Sequence, residues 1–225
     1  MSKVQYANAV VFLIYATVCT CLDLAQAVSV VSRYMANLAK QHWNAVKWIF
    51  RYLKGTKKLG ILFERQQRKT CVSGYVDSYY VGDIEKRRST ARYVFTCVGG
   101  LISWRVVLQS ITALSTIEAE YMGLTEASKE ALWLTRLAKE FGIAQDLVVI
   151  QSNSQTVICL VKNQVFHRRS KNIDVQYHRI RDSVNDGDIE IETVHKDEKA
   201  LDCLTELVTT EKFRHYLSLL NLVTC

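Results

Sequence analysis

The sequence contains no proline in 225 residues, although average usage near 5% would give about eleven. It also has no cysteine pair spaced as C-x-x-C. These absences argue against a zinc knuckle and against a disulfide-rich secreted scaffold, and they favour a reducing compartment in the cytoplasm or nucleus. The cysteines are odd in number and widely scattered: Cys19, Cys21, Cys71, Cys97, Cys159, Cys203 and Cys225.

The sequence has no apolar run long enough to cross a membrane. The apolar stretch 9–20 is short, and Ala25-Gln26-Ala27 behind it resembles the cleavage site of a signal peptide. The helical pattern continues past that point through Val28 and Val31. We therefore expect a buried helix here, with no secretion and no membrane partner.

Acidic residues are outnumbered, which gives a formal net charge of +7 and a pI near 9.0. An excess of Lys and Arg favours a polyanionic partner, because these side chains displace counterions from phosphates. Two clusters are candidate nucleic-acid contacts, although each is equally compatible with a solvated charged surface. They are Arg87 with Arg88 beside Lys86, and His167, Arg168 and Arg169 with Lys171.

Hydrophobic periodicity divides the chain into a helical start and a strand-rich remainder. Residues 1–56 show helical spacing throughout, residues 57–208 alternate between strands and helices, and residues 209–225 indicate a final helix. Three antiparallel strands followed by helix, strand, helix, strand and helix predict an α/β fold with a five-stranded mixed sheet flanked by helices. That order is the order of the ribonuclease H fold.

Several motifs along the chain carry a more specific resemblance. The runs are G-Y-V-D-S-Y-Y-V-G-D at 74–83, R-R-S-T-A-R-Y-V-F-T at 87–96, L-S-T-I-E-A-E-Y-M at 114–122 and K-N-I-D-V-Q-Y-H at 171–178. Together they resemble the ribonuclease H region of copia-type LTR retrotransposon Pol polyproteins. Residues 1–56, with W-I-F-R-Y-L-K-G-T at 48–56, resemble the thumb and connection tail of the preceding reverse transcriptase. The polymerase signature Y-x-D-D is absent, so polymerisation is not expected.

The resemblance implies a site that hydrolyses the RNA strand of RNA/DNA hybrids with two Mg²⁺ or Mn²⁺ ions held by carboxylates. The implied metal ligands and catalytic residues are Asp77, Glu120 and Asp202. Glu118 is a rival to Glu120, but two residues along a helix are about 200° apart, so both cannot face one metal pair. His195 is a further candidate, as a proton shuttle on a loop before the last Asp.

One carboxylate of the family pattern is missing. The family reads I-Y-C-D-N/S-Q-S-A where this chain reads V-I-Q-S-N-S-Q-T at 149–156, and we assign the degenerate position to Ser152. Asn153 is expected to point to the opposite face of the strand. Tyr79 replaces the second Asp of the family's D-x-D, and Arg92 replaces a Gly, which threatens folding if that Gly has positive φ or a tight contact.

Each family position that usually holds a proline has lost it, which accounts for the missing prolines. We therefore expect a ribonuclease H-like domain whose nuclease activity is impaired. The alternatives are a non-catalytic nucleic-acid-binding remnant and an inert pseudogene product.

Overall fold

A computed structural model describes residues 3–63, 72–83, 86–143, 145, 147–162, 174–194 and 210–224. The chain divides into two compact units, Met1–Leu62 with Asp202–Cys225, and Phe63–Leu201. Several residues singled out above lie outside the described residues: His167, Arg168, Arg169, Lys171, His195 and Asp202.

The first unit is built from helices and one small two-stranded sheet. Its elements are α1 (Lys3–Cys19), the 3₁₀ turn (Leu22–Leu24), α2 (Ala25–Ser32), α3 (Lys40–Gly55), β1 (Leu59–Ile61), α7 (Thr210–Leu219) and β7 (Leu222–Thr224). Strand β7 was not expected, and it pairs antiparallel with β1.

Helix α1 packs by one face into the core of this unit. Tyr6, Val10 and Leu13 are buried there against Val28 of α2, and the Tyr6 hydroxyl donates a hydrogen bond to the carbonyl of Val31 at 2.7 Å. The expected helix is present, but only one face of it is buried, since Phe12 and Tyr15 on another face are 70% and 71% exposed. Within the described part of the chain, no helix is both long and apolar enough to cross a membrane.

The second unit contains the five-stranded mixed sheet that the sequence predicts. Its spatial order is β4-β3-β2-β5-β6; β2, β3 and β4 are antiparallel, and β5 and β6 run parallel to β2. Its elements are β2 (Val72–Asp83), β3 (Arg88–Cys97), β4 (Gly100–Leu108), α4 (Thr116–Glu140), β5 (Val148–Ser152), α5 (Gln155–Lys162), α6 (Asp174–Asn185) and β6 (Ile189–Thr193).

The core of this unit lies between the sheet and helix α4. Val76 of β2 and Phe95 of β3 are buried in one cluster with Tyr121 and Leu124 of α4. Because strand residues alternate between faces, these contacts assign every second residue of β2 and β3 to this side, which we call the helix face. The intervening residues, including Asp77, lie on the other side, which we call the Asp77 face.

Candidate active site

Asp77 lies in the middle of β2, directly opposite Arg92 of β3. Residues opposite each other in antiparallel strands share a face and have neighbouring Cβ atoms. The Arg92 guanidinium donates from Nη2 to Asp77 Oδ2 at 2.8 Å. Arg92 has 2% and Asp77 16% of its side-chain surface exposed, so this ion pair is largely shielded from water.

The second carboxylate oxygen of Asp77 is held by Asn153. The amide Nδ2 of Asn153 donates to Asp77 Oδ1 at 3.1 Å. The expectation that Asn153 points away from the site is therefore wrong. Strand β5 ends at Ser152, which pairs with Val76 of the helix face, so the next residue, Asn153, reaches the Asp77 face. Both oxygens of Asp77 accept hydrogen bonds from protein donors.

Ser152 is placed on the helix face. It pairs with Val76 across the β2–β5 ladder and is only 4% exposed. Its Oγ accepts a hydrogen bond from the backbone N–H of Ser154 at 3.3 Å. Contrary to the prediction, Ser152 does not face Asp77, because one residue along a strand changes the side of the sheet.

A signal for the right position was present in the sequence. The family pattern places N/S and then Q directly after its Asp, and here Ser154 and Gln155 directly follow Asn153. Aligning on that pair moves the missing carboxylate from Ser152 to Asn153. The residue that replaces it is an amide of nearly the same shape, without charge and with an N–H₂ group that can donate.

Arg92 does not strain the backbone. It lies inside a regular strand, paired with Asp77 on one side and Val106 on the other. Positive φ occurs instead at non-glycine residues outside this pairing: Val81, Arg87, Val98 and Asn221. Arg92 therefore does not occupy the positive-φ conformation that would have required glycine. Sequence reasoning missed its role, because its partner became evident only from the strand register.

The two candidate carboxylates of helix α4, Glu118 and Glu120, lie in different surroundings. Ser115 caps the helix by accepting from the N–H of Glu118 at 3.1 Å, and the Glu118 carboxylate accepts from the N–H of Leu114 at 2.7 Å. Glu118 therefore holds the helix start. Glu120 is half-buried and lies one turn before Gly123, where an added Cβ would be 3.6 Å from the carbonyl oxygen of Asp77.

Tyr79 extends the Asp77 face toward the end of β2. The Arg92 guanidinium carbon lies 5.9 Å from the centre of the Tyr79 ring, which is within the range of a cation–π contact. Tyr79 is 51% exposed. Beyond it, Lys86 and Arg87 are exposed and Arg88 is half-buried at the turn between β2 and β3.

The described residues do not fit a two-metal centre. Among them, no group of three or more His, Cys, Asp or Glu side chains is arranged to hold a metal ion. Near Asp77 the structure supplies a guanidinium and an amide N–H₂, both donors, where Mg²⁺ requires oxygen ligands. The Asp77 carboxylate is therefore already paired with a positive charge, that of the Arg92 guanidinium.

No protein-family profile matches the chain. The chain is 46% identical over 213 residues to the retrovirus-related Pol polyprotein from transposon TNT 1-94 of Nicotiana tabacum, a match that covers 95% of the chain and 16% of the polyprotein. It is 44% identical over 135 residues to secreted RxLR effector protein 161 of Plasmopara viticola, which covers 60% of the chain and 94% of that protein.

Two solved structures resemble parts of this chain to different degrees. The foamy viral protease-reverse transcriptase dRH in complex with double-stranded DNA has a TM-score of 0.57 at 11% identity, over 85% of this chain and 32% of that chain. RNase H1 from the archaeon Halobacterium salinarum NRC-1 has a TM-score of 0.41 at 18% identity, over 57% of this chain and 88% of that chain. Identities this low concern the fold alone.

Proposed function

Because this chain belongs to the family of copia-type retrotransposon Pol polyproteins, in their ribonuclease H region, we propose that it is a ribonuclease H-like domain with its hybrid-cleaving activity lost or severely impaired. The observation that supports this function is the engagement of both Asp77 oxygens by Arg92 and Asn153. The reaction that ribonucleases H catalyse is hydrolysis of the RNA strand of an RNA/DNA hybrid.

The metal requirement explains why this arrangement is disabling. Two-metal hydrolysis needs several carboxylates, which ligate the cations and balance their charge while the cations clamp the attacking and leaving oxygens. Asp77, Glu120 and Asp202 remain as candidate ligands, and Asn153 contributes no charge. With one carboxylate fewer, at least one of the two cations loses an anionic ligand.

The Arg92 guanidinium opposes cation binding as well. Unit charges 4 Å apart interact by roughly 4 kcal/mol at an effective dielectric near 20, and a divalent ion doubles that term. A cation bound to Asp77 would have to displace Arg92 or accept this repulsion. Because Arg92 is 2% exposed, its charge is poorly screened by water.

A cleavage assay with a labelled RNA/DNA hybrid tests the proposal. Wild type in Mg²⁺ or Mn²⁺ is expected to cleave no faster than Asp77→Asn. The double variant Arg92→Gly/Asn153→Asp removes the internal cation and restores the carboxylate, and it is expected to gain cleavage that depends on Asp77. Ser152→Asp is the matched control, since it adds the same charge one residue away on the helix face.

Two outcomes would contradict the proposal. Wild-type cleavage that Asp77→Asn abolishes would show a working site. A double variant that folds, as judged by circular dichroism, yet stays as inactive as Asp77→Asn would show that Arg92 and Asn153 are not the defects that matter. In the second case the missing activity would have to be sought at Glu120, Asp202 or His195.

A non-catalytic nucleic-acid-binding domain is the second candidate function. The exposed side chains of Lys86 and Arg87, beside the half-buried Arg88, favour it, since such residues grip phosphates without reading sequence. The sequence adds His167, Arg168, Arg169 and Lys171 as further candidates. The partner would be an RNA/DNA hybrid or another nucleic acid inside the cell. Salt-sensitive binding without cleavage is the expected signature.

A further inference from the structure

The end of β2 presents an exposed aromatic ring that is held in a fixed place. Tyr79 is 51% exposed, and its ring contacts the Arg92 guanidinium at 5.9 Å. On the backbone side the ring packs against Gly82, where an added Cβ would come within 2.6 Å of Tyr79 Cδ1. The ring is therefore positioned by neighbouring groups while half of its surface stays open.

A break in the strand register supports this placement. The pairing of β2 with β3 is regular from Val72 to Tyr79 and resumes only at Asp83. Between them, Val81 has φ of 52°, a conformation that β-branched residues rarely adopt, and its N–H bonds to the Ser89 hydroxyl at 3.2 Å. Bulges of this kind re-aim side chains at the ends of strands.

The charge around the ring suits an anion better than a cation. Asp77, the carboxylate nearest along the strand face, is paired with Arg92. The turn between β2 and β3 adds Lys86 and Arg87, and Arg88 at the start of β3 pairs with Asp83 and lies two residues before Thr90, the residue opposite Tyr79. An open aromatic face beside cations is the combination by which proteins bind single-stranded nucleic acid, with bases stacked and phosphates paired.

We propose that Tyr79 is a stacking platform for an unpaired nucleobase and that the turn at Lys86–Arg88 holds the adjoining phosphates. The ligand class is single-stranded nucleic acid, because a base within a duplex has no free face to offer the ring. The proposal builds on the proposed loss of cleavage, since it needs the Asp77 face to be free of bound cations.

The test is fluorescence anisotropy of a labelled single-stranded oligonucleotide at low salt. Tyr79→Ala is expected to raise the Kd about 5- to 100-fold, which is the range that the loss of one stacked base gives. Tyr79→Phe keeps the ring and should stay within about twofold of wild type. Phe141→Ala is the matched control, because it removes another exposed aromatic, 73% exposed, at the end of α4.

Two further variants separate stacking from charge. Gly82→Ala displaces the Tyr79 ring without removing it and is expected to weaken binding while leaving its salt dependence unchanged. Arg87→Ala is expected to lower the slope of log Kd against log salt by about one unit, as the loss of one phosphate contact does. Circular dichroism of each variant verifies the fold.

Equal binding by Tyr79→Ala and Phe141→Ala would overturn the inference, as would tighter binding of a blunt duplex or hybrid than of the single strand. No binding at all would overturn it too, while leaving the proposed loss of cleavage intact. Conversely, Asp77-dependent cleavage would contradict the proposed function, and it would be seen in the hybrid assay whatever the anisotropy shows.

Discussion

The two faces of the central sheet differ in what they hold together. On the helix face, Val76 and Phe95 pack with Tyr121 and Leu124 of α4 in an apolar cluster. On the Asp77 face, the same strands carry an ion pair extended by an amide. Two departures from the family pattern, Arg92 and Asn153, lie on this second face. The apolar face stabilises the fold, so the chemistry opposite can change without unfolding the sheet.

The largest effect is expected from the helix face. Phe95 is fully buried, and Phe95→Ala should lower the free energy of unfolding by roughly 3 to 5 kcal/mol through lost burial and the cavity left behind. Urea denaturation measures it. The exposed Phe141→Ala is the control and should change stability by less than about 0.5 kcal/mol. Similar losses for the two variants would remove the contrast between core and surface.

Adding a carboxylate to each face at neighbouring positions tests the assignment of faces. Ser152→Asp places an unpaired charge beside Val76 and should cost about 3 kcal/mol. Asn153→Asp places it beside Asp77 and Arg92, where the guanidinium offsets repulsion, and should cost less than about 1.5 kcal/mol. Chemical denaturation of both variants gives the comparison. The reverse order would put Ser152, not Asn153, on the Asp77 face.

Asp77→Ala should destabilise the protein by about 2 to 3 kcal/mol, because it removes the carboxylate that pairs with the buried Arg92 guanidinium. The sign of this change in the free energy of unfolding distinguishes an ion pair from a cluster of carboxylates. In a cluster of mutually repelling carboxylates, removing one relieves repulsion and stabilises the fold. The double variant Asp77→Ala/Arg92→Leu should recover part of the loss. A stabilising Asp77→Ala would indicate an acidic metal cluster in place of an ion pair.

The smallest expected effect is a pH dependence on the helix face. Burial, helped by the nearby Glu130 carboxylate, raises the pKa of Tyr93 to about 12, whereas the unfolded phenol has its ordinary pKa of 10.0. The contribution of the Tyr93 phenol to the free energy of unfolding is fully present below pH 10. It is lost as the pH rises toward 12, by up to about 2 kcal/mol. Tyr93→Phe should show a shallower decline over that range. Parallel curves for the two proteins would contradict this assignment.

The sequence predicted much of the fold and only part of the site. Alternating apolar residues indicated the strands, so the five-stranded mixed sheet and the helix after its three antiparallel strands followed from local patterns. The Arg92–Asp77 pair required the register of β2 against β3, which no local pattern supplies. Ser152 was chosen over Asn153 by a one-residue misalignment at a strand end, where such an error changes the face.

Both oxygens of Asp77 are engaged by protein donors, and calorimetric titration with Mn²⁺ tests most directly whether this engagement excludes metal ions. Wild type is expected to bind no Mn²⁺ that depends on Asp77, so its titration should match that of Asp77→Asn. Arg92→Gly/Asn153→Asp should bind Mn²⁺ and gain stability as the ion concentration rises. Stoichiometric binding by wild type that disappears in Asp77→Asn would contradict the account.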